Sequence, residues 1–116
     1  MSPDTLPTLD DFDFHTRLAD QPGVALVMFT RPACSACRHW AQLLAEWHRQ
    51  HPEHAVYEVD VEQNMALARE FDIFHLPSLH LYVDGEYHAE LQSEARLPKL
   101  QAAIATALSA GPREAP

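Results

Sequence analysis

Cys34 and Cys37 are the only two cysteines in the chain, three residues apart in Cys34-Ser35-Ala36-Cys37. They follow Val24-Ala25-Leu26-Val27-Met28-Phe29, an apolar run that reads as a buried strand. The segment after them carries apolar residues at helical spacing. A dithiol at a strand-to-helix junction is well placed for thiol chemistry. The unpaired N–H groups and positive dipole end of the helix stabilise a thiolate there. Positions i and i+3 of a helical first turn are neighbours, at a separation a disulfide can bridge. Two-electron exchange between dithiol and disulfide is therefore the chemistry this pair points to.

The elements that must hold the pair follow from periodicity. Residues 1–7 contain two prolines and read as an irregular arm with a short edge strand. Thr8 is the expected N-cap of a first helix to about residue 20, with Phe14 and Leu18 facing the core. Gln21-Pro22-Gly23 is a turn, and residues 24–30 form the buried strand. The second helix spans about 34–50, with Ala36, Trp40, Leu43, Leu44 and Trp47 as its apolar stripe, closed by His51-Pro52. Residues 55–61 alternate in part and read as a strand. Gln63-Asn64 opens a short helix through Phe71. Residues 79–83 and 86–91 form a hairpin about Asp84-Gly85. A last helix begins at Ser93 or Arg96, has Pro98 near its start, and carries the stripe Leu97, Leu100, Ile104 and Leu108. The order implies a right-handed strand–helix–strand crossover extended by an antiparallel hairpin, with helices on both faces of a mixed sheet. The domain is expected over 8–109, with a disordered tail over 110–116.

The composition narrows the function classes. At 116 residues, 47% hydrophobic and 22% charged, the chain suits one globular domain. A net charge of −9, with Lys99 the only lysine, argues against nucleic-acid binding. No apolar run approaches the ~20 residues of a membrane helix, and no membrane association is expected. No basic-then-apolar leader is visible at the start, so a cytoplasmic setting is the default expectation. The eight histidines (His15, His39, His48, His51, His54, His75, His80 and His88) are scattered and expected mostly on the surface.

The chain resembles the thioredoxin family over roughly residues 8–109. The resemblance rests on the strand ending in Phe29, the CxxC of Cys34 and Cys37, the Gln63-Asn64 helix start, Leu76-Pro77-Ser78 before a strand, and the Asp84-Gly85-Glu86 hairpin. It implies a thioredoxin-like three-layer α/β/α sandwich with a central mixed sheet of four or five strands. It implies a thiol–disulfide oxidoreductase that needs no cofactor. Its partners would be disulfide-containing proteins and an electron donor, such as a thioredoxin reductase or a low-molecular-weight thiol. Leu76-Pro77 should be cis, its loop lying against the dithiol and presenting backbone to substrate. Leu76, Pro77 and Ala33 are then the substrate-binding candidates. The departures are also specific. Ser35-Ala36 replaces the Gly-Pro between the cysteines, and Ala33 replaces the preceding tryptophan. Met28 occupies the position of the buried acid, Glu58 that of its partner lysine, and His75 that of a glycine.

Cys34, at the helix start and more exposed, is the candidate nucleophile, and Cys37, one turn inside, the resolving thiol. Arg31, Arg38, His75 and Glu58 are candidates for modulating the thiol pKa. Two further readings use the same residues. One is a weakly active thioredoxin-like binding or assembly module, favoured by Met28 and Glu58. The other is a metal or iron–sulfur site built from Cys34 and Cys37, with His75 the candidate third ligand; no metal is assigned in the leading reading.

Overall fold

The computed structural model describes residues 6–116. Its elements are α1 (Phe14–Ala19), β1 (Val24–Thr30), α2 (Ser35–Gln50), β2 (Ala55–Asp60), α3 (Met65–Glu70), β3 (Ser78–Val83), β4 (Glu86–Leu91) and α4 (Leu97–Ala110). The four strands form one sheet in the order β2-β1-β3-β4. β1 runs parallel to β2 and antiparallel to β3, and β3 pairs antiparallel with β4. All seven residues of β1 are buried, as its unbroken apolar sequence requires when both faces are covered.

Strand alternation divides the core between two faces. Val24, Leu26 and Met28 of β1 pack with Trp40, Leu44 and Trp47 of α2 and with Leu100 and Ile104 of α4. Ala25, Val27 and Phe29 point the other way, into a cluster with Phe14 and Leu18 of α1, Leu67 of α3, and Phe71. The result is the expected α/β/α sandwich. On the second face Phe14 makes edge contacts with Phe71 and Tyr82 at ring separations of 5.3 and 6.2 Å. Such contacts each add about 0.5–1.5 kcal/mol beyond the area they bury.

Several local expectations shift. α1 begins at Phe14 rather than after Thr8. The Asp10 carboxylate accepts from the backbone N–H groups of Phe12 and Asp13, which fixes a turn ahead of the helix. Thr8 instead forms a single parallel bridge with Glu58. Of the irregular arm, residues 1–5 lie outside the described residues, and Leu6 is buried in the α2-side core. Asn64 is the N-cap residue of α3 without capping it by its side chain. The Asp11 carboxylate accepts from Leu67 N–H, while Asn64 Oδ1 accepts from Asp11 N–H, a reciprocal clasp between the turn ahead of α1 and the start of α3. Ala36 is exposed rather than part of the buried stripe of α2; Cys37 and Ala45 are buried there instead. α4 runs one residue past the expected domain edge, and Leu108 is exposed. Beyond it the tail has no helix or strand, and Arg113 N–H donates to His88 O.

The β3–β4 turn depends on backbone freedom. Asp84 and Gly85 both adopt positive φ, 51° and 83°. A Cβ on Gly85 would run into the backbone of Ala19, with the Ala19 carbonyl carbon at 3.0 Å. Only glycine fits this hairpin against α1.

Candidate redox site

β1 delivers the chain to the dithiol. After Thr30, Arg31 to Ala33 make a tight turn, with Ala33 held at φ 60°. The left-handed region costs a non-glycine residue about 1–2 kcal/mol, so the packed strand and helix on either side must hold this turn in place. Cys34 follows as the N-cap residue of α2, in extended conformation, and its Sγ accepts the N–H of Cys37 at 3.2 Å. A cysteine thus does the capping usually done by serine or aspartate. The same N–H and the positive end of the 16-residue α2 would stabilise a Cys34 thiolate. Cys34 and Cys37 form a disulfide with their Cα atoms 5.2 Å apart. Cys34 is half-buried and Cys37 only 3% exposed, so an approaching partner meets Cys34 first.

Beside the disulfide is a cavity of about 300 Å³ lined by Cys37, Ala33, Arg31, Arg38, Glu58 and Asp60, among others. It brings four of the sequence-predicted residues to one face of the pair. Glu58 is half-buried at the β2 position opposite Met28. Burial, and secondarily the Asp60 carboxylate, push its pKa above the ordinary glutamate value. Met28 is fully buried on the α2 face and offers no group that can take up a proton. Arg31 and Arg38, both exposed, line the same cavity as these carboxylates.

The Leu76–Pro77 peptide bond is cis. Ser78, the next residue, pairs with Phe29, so the proline loop lies at the end of the sheet from which β1 feeds the dithiol. Pro77 shares a cleft of about 190 Å³ with His75 and with Trp40, one turn beyond Cys37. His75 is exposed. Among the described residues it does not converge with the two cysteines; the group of ligating side chains that does converge is His51, Glu53 and His54.

Sequence reasoning missed three features. An apolar groove of about 490 Å³, lined by Val61, Met65, Ile73, Phe74 and Leu76, continues from the proline loop. Phe74 is 90% exposed there, although Phe74 lies only two residues before Leu76 in the chain. The second feature is the histidine group, whose signal was the sequence His51-Pro52-Glu53-His54. The third is that His80 and His88 are buried, contrary to a surface placement.

Sandwich topology, a helix-capping dithiol and a proline loop at the same end of the sheet define a thiol/disulfide class of α/β domain. The Thioredoxin family model matches residues 5–106, and the chain belongs to that family. It is 37% identical over 79 residues to thioredoxin-2 of Pyricularia oryzae, covering 68% of this chain and 46% of that protein. It is 30% identical over 108 residues to the thioredoxin domain-containing protein 5 homolog of Drosophila melanogaster, covering 88% of this chain and 25% of that protein. The chain therefore spans less than half the length of either relative. Among solved structures, mitochondrial thioredoxin 3 from Saccharomyces cerevisiae in its oxidized form superposes with a TM-score of 0.78 at 20% identity, covering 90% of this chain and 99% of that one. That likeness is one of fold.

Proposed function

We propose that the protein is a thiol–disulfide oxidoreductase that reduces or exchanges protein disulfides through Cys34 and Cys37. The observation that carries this is the half-buried residue Cys34, whose Sγ caps α2 and is bonded to the buried Cys37. The Cys34 thiolate attacks one sulfur of a substrate disulfide, forms a mixed disulfide and expels the other substrate sulfur as a thiolate. Cys37 then attacks Cys34 Sγ, releasing the second substrate thiolate and leaving the Cys34–Cys37 disulfide. Two electrons have passed to the substrate, and a donor such as a thioredoxin reductase or a small thiol must restore the dithiol. Ala33, Leu76 and Pro77 supply the surface on which an extended substrate segment rests, and the groove at Phe74 and Met65 lengthens it. The reading includes a reducing, cytoplasmic setting, where thiols are kept reduced.

The deciding experiment combines dithiothreitol-driven insulin reduction with the equilibrium potential of the pair against glutathione. A reductant of this kind has a potential of about −270 mV, an oxidant one near −120 mV. Turnover together with a value toward the first supports the proposal. A pair that forms its disulfide but turns over no substrate would leave a thioredoxin-like binding module instead.

Within this reading Glu58 is the base that relieves Cys37 of its proton, the task Met28 cannot perform. Its raised pKa makes it a better proton acceptor than an exposed glutamate, and it lines the cavity that Cys37 borders. Glu58→Gln is expected to slow release of the mixed disulfide at least about tenfold near pH 7, below the 10²–10⁴ of an optimally aligned base. The deficit should shrink as rising pH ionises Cys37 directly. Stopped-flow measurement of the resolving step from pH 6 to 9 checks this, and an unchanged rate at pH 7 removes Glu58 from the role.

A further inference from the structure

The connection between α2 and β2 holds a group of side chains that the dithiol chemistry does not use. His51 Nδ1 lies 3.9 Å from Glu53 Oε2, and His54 Nε2 lies 3.6 Å from the same oxygen. Donor atoms of all three residues fall within 4.8 Å of one another. These distances to Glu53 are too long for hydrogen bonds and are those of loose ion pairs. The other ring nitrogen of His54, Nδ1, is buried and has no hydrogen-bond partner. The His54 side chain as a whole is half-buried, so the Nε2 edge that faces Glu53 is the one open to a ligand, while the buried Nδ1 is an unpaired polar atom of the kind that calls for an explanation.

The backbone and the neighbouring indole hold these rings in place. His51 N–H donates to Trp47 O and His48 O, closing α2, and His54 N–H donates to His51 O at 3.0 Å. Pro52 fixes φ within the turn. The buried Trp47 indole stacks on the His54 ring, with centroids 5.3 Å apart and planes 18° apart, and lies against His51 at 5.5 Å. The two imidazoles stack on each other at 5.8 Å. Few rotamers are left to lose on binding a ligand at their edges.

We propose that His51, Glu53 and His54 form a site for a late first-row divalent cation, with Zn²⁺ its natural occupant and water completing the coordination. Two imidazoles and a carboxylate are the donor set that suits such ions. Ligands about 2.0–2.1 Å from a tetrahedral Zn²⁺ are roughly 3.3 Å apart. The His–Glu distances therefore need only a few tenths of an ångström of closure, which the exposed Glu53 can supply. The C-terminal end of α2 adds the negative pole of the helix dipole, which favours a cation. Along α2 the site is about 24 Å from Cys34, at 1.5 Å per residue, so it is separate from the redox chemistry. A bound ion would clamp the α2–β2 connection and stabilise the native chain.

The test uses the full chain with its disulfide formed, so that neither cysteine can bind metal. Isothermal titration with Zn²⁺ should show one ion per chain, together with a rise in melting temperature. His51→Gln and His54→Gln should each weaken binding at least about tenfold, and Glu53→Gln should weaken it several-fold. His15→Gln, a surface substitution elsewhere, should leave it unchanged. Circular dichroism of each variant guards against loss of fold, and the Zn²⁺-induced shift of the Trp47 indole resonance reports the site directly. Absence of binding by the oxidised protein, or binding that survives both histidine substitutions, overturns the proposal.

Discussion

Cys34→Ser is expected to abolish disulfide reduction, with turnover falling at least about a thousandfold, whereas Cys37→Ser is expected to convert the protein into a trap. The asymmetry comes from the geometry of the pair. Cys34 is the less buried residue of the two, and its sulfur sits where the N–H of Cys37 and the positive end of α2 converge. A hydroxyl there cannot form a mixed disulfide, so no first step occurs. Cys37 is 3% exposed and reaches its target only within its own chain. Without it, attack by Cys34 proceeds and the mixed disulfide persists until an external thiol removes it. Non-reducing gels and mass spectrometry of the Cys37→Ser protein incubated with a disulfide substrate should show a one-to-one covalent adduct on Cys34. Iodoacetamide should label Cys34 well ahead of Cys37 in the reduced protein. Equal labelling, or reductase activity surviving loss of Cys34, would reverse or dissolve these roles.

The frame of this site was legible because each part follows from local chemistry. An unbroken apolar run at 24–29 must be a strand covered on both faces, and CxxC after it must fall on the first turn of the next helix. Leu76-Pro77 was placed through the family resemblance, since a proline before a strand is by itself compatible with many arrangements. What the sequence hid was decided by contacts between distant segments. Asn64 reads as the start of its own helix, yet its Oδ1 accepts from Asp11 N–H ahead of α1, and the Asp11 carboxylate accepts in turn from Leu67 N–H in the first turn of α3. Glu58 was not hidden in this way: the family resemblance already set it near the dithiol, and the register opposite Met28 brings it to the cavity beside Cys37. Histidines 51 and 54 read as scattered surface residues because their shared environment is the indole of Trp47, assigned to the core. Phe74 was not identified as part of the apolar rim, because hydrophobicity alone predicts burial and does not indicate which aromatic is left uncovered.

The largest expected effect on stability concerns His80. Sequence reading put it on the surface, yet its place on β3 directs it into the α1/α3 face, where it is 1% exposed. Its ring makes edge contacts with Phe29 and Phe71, each at 5.4 Å. Nε2 lies 3.0 Å from Ser78 Oγ and Nδ1 3.1 Å from the Tyr87 hydroxyl. A neutral imidazole offers one donor and one acceptor, and the two hydroxyls can satisfy both in either tautomer. A charged ring would lose its hydration inside an aromatic cluster. Burial, and then the charge of nearby His75, push the His80 pKa down to about 4. The sign follows from proton counting. Between pH 6.5 and about 4 the unfolded chain binds a proton at His80 that the folded chain does not, so stability falls as pH falls through that window. At 1.36 kcal/mol per pKa unit the loss is on the order of 3 kcal/mol when complete, a large share of the stability of a small domain. Glu58 works in the opposite direction, since its raised pKa favours the folded state on protonation, which makes a comparison between variants necessary. Urea unfolding of the wild type and His80→Gln at pH 7, 5.5 and 4.5 isolates the histidine. The substituted protein should start less stable at pH 7, because an amide reproduces the two hydrogen bonds imperfectly, and should lose less on acidification. Parallel pH dependences, or a His80 imidazole resonance titrating near 6.5, would show that the ring takes up its proton in the folded state at little cost.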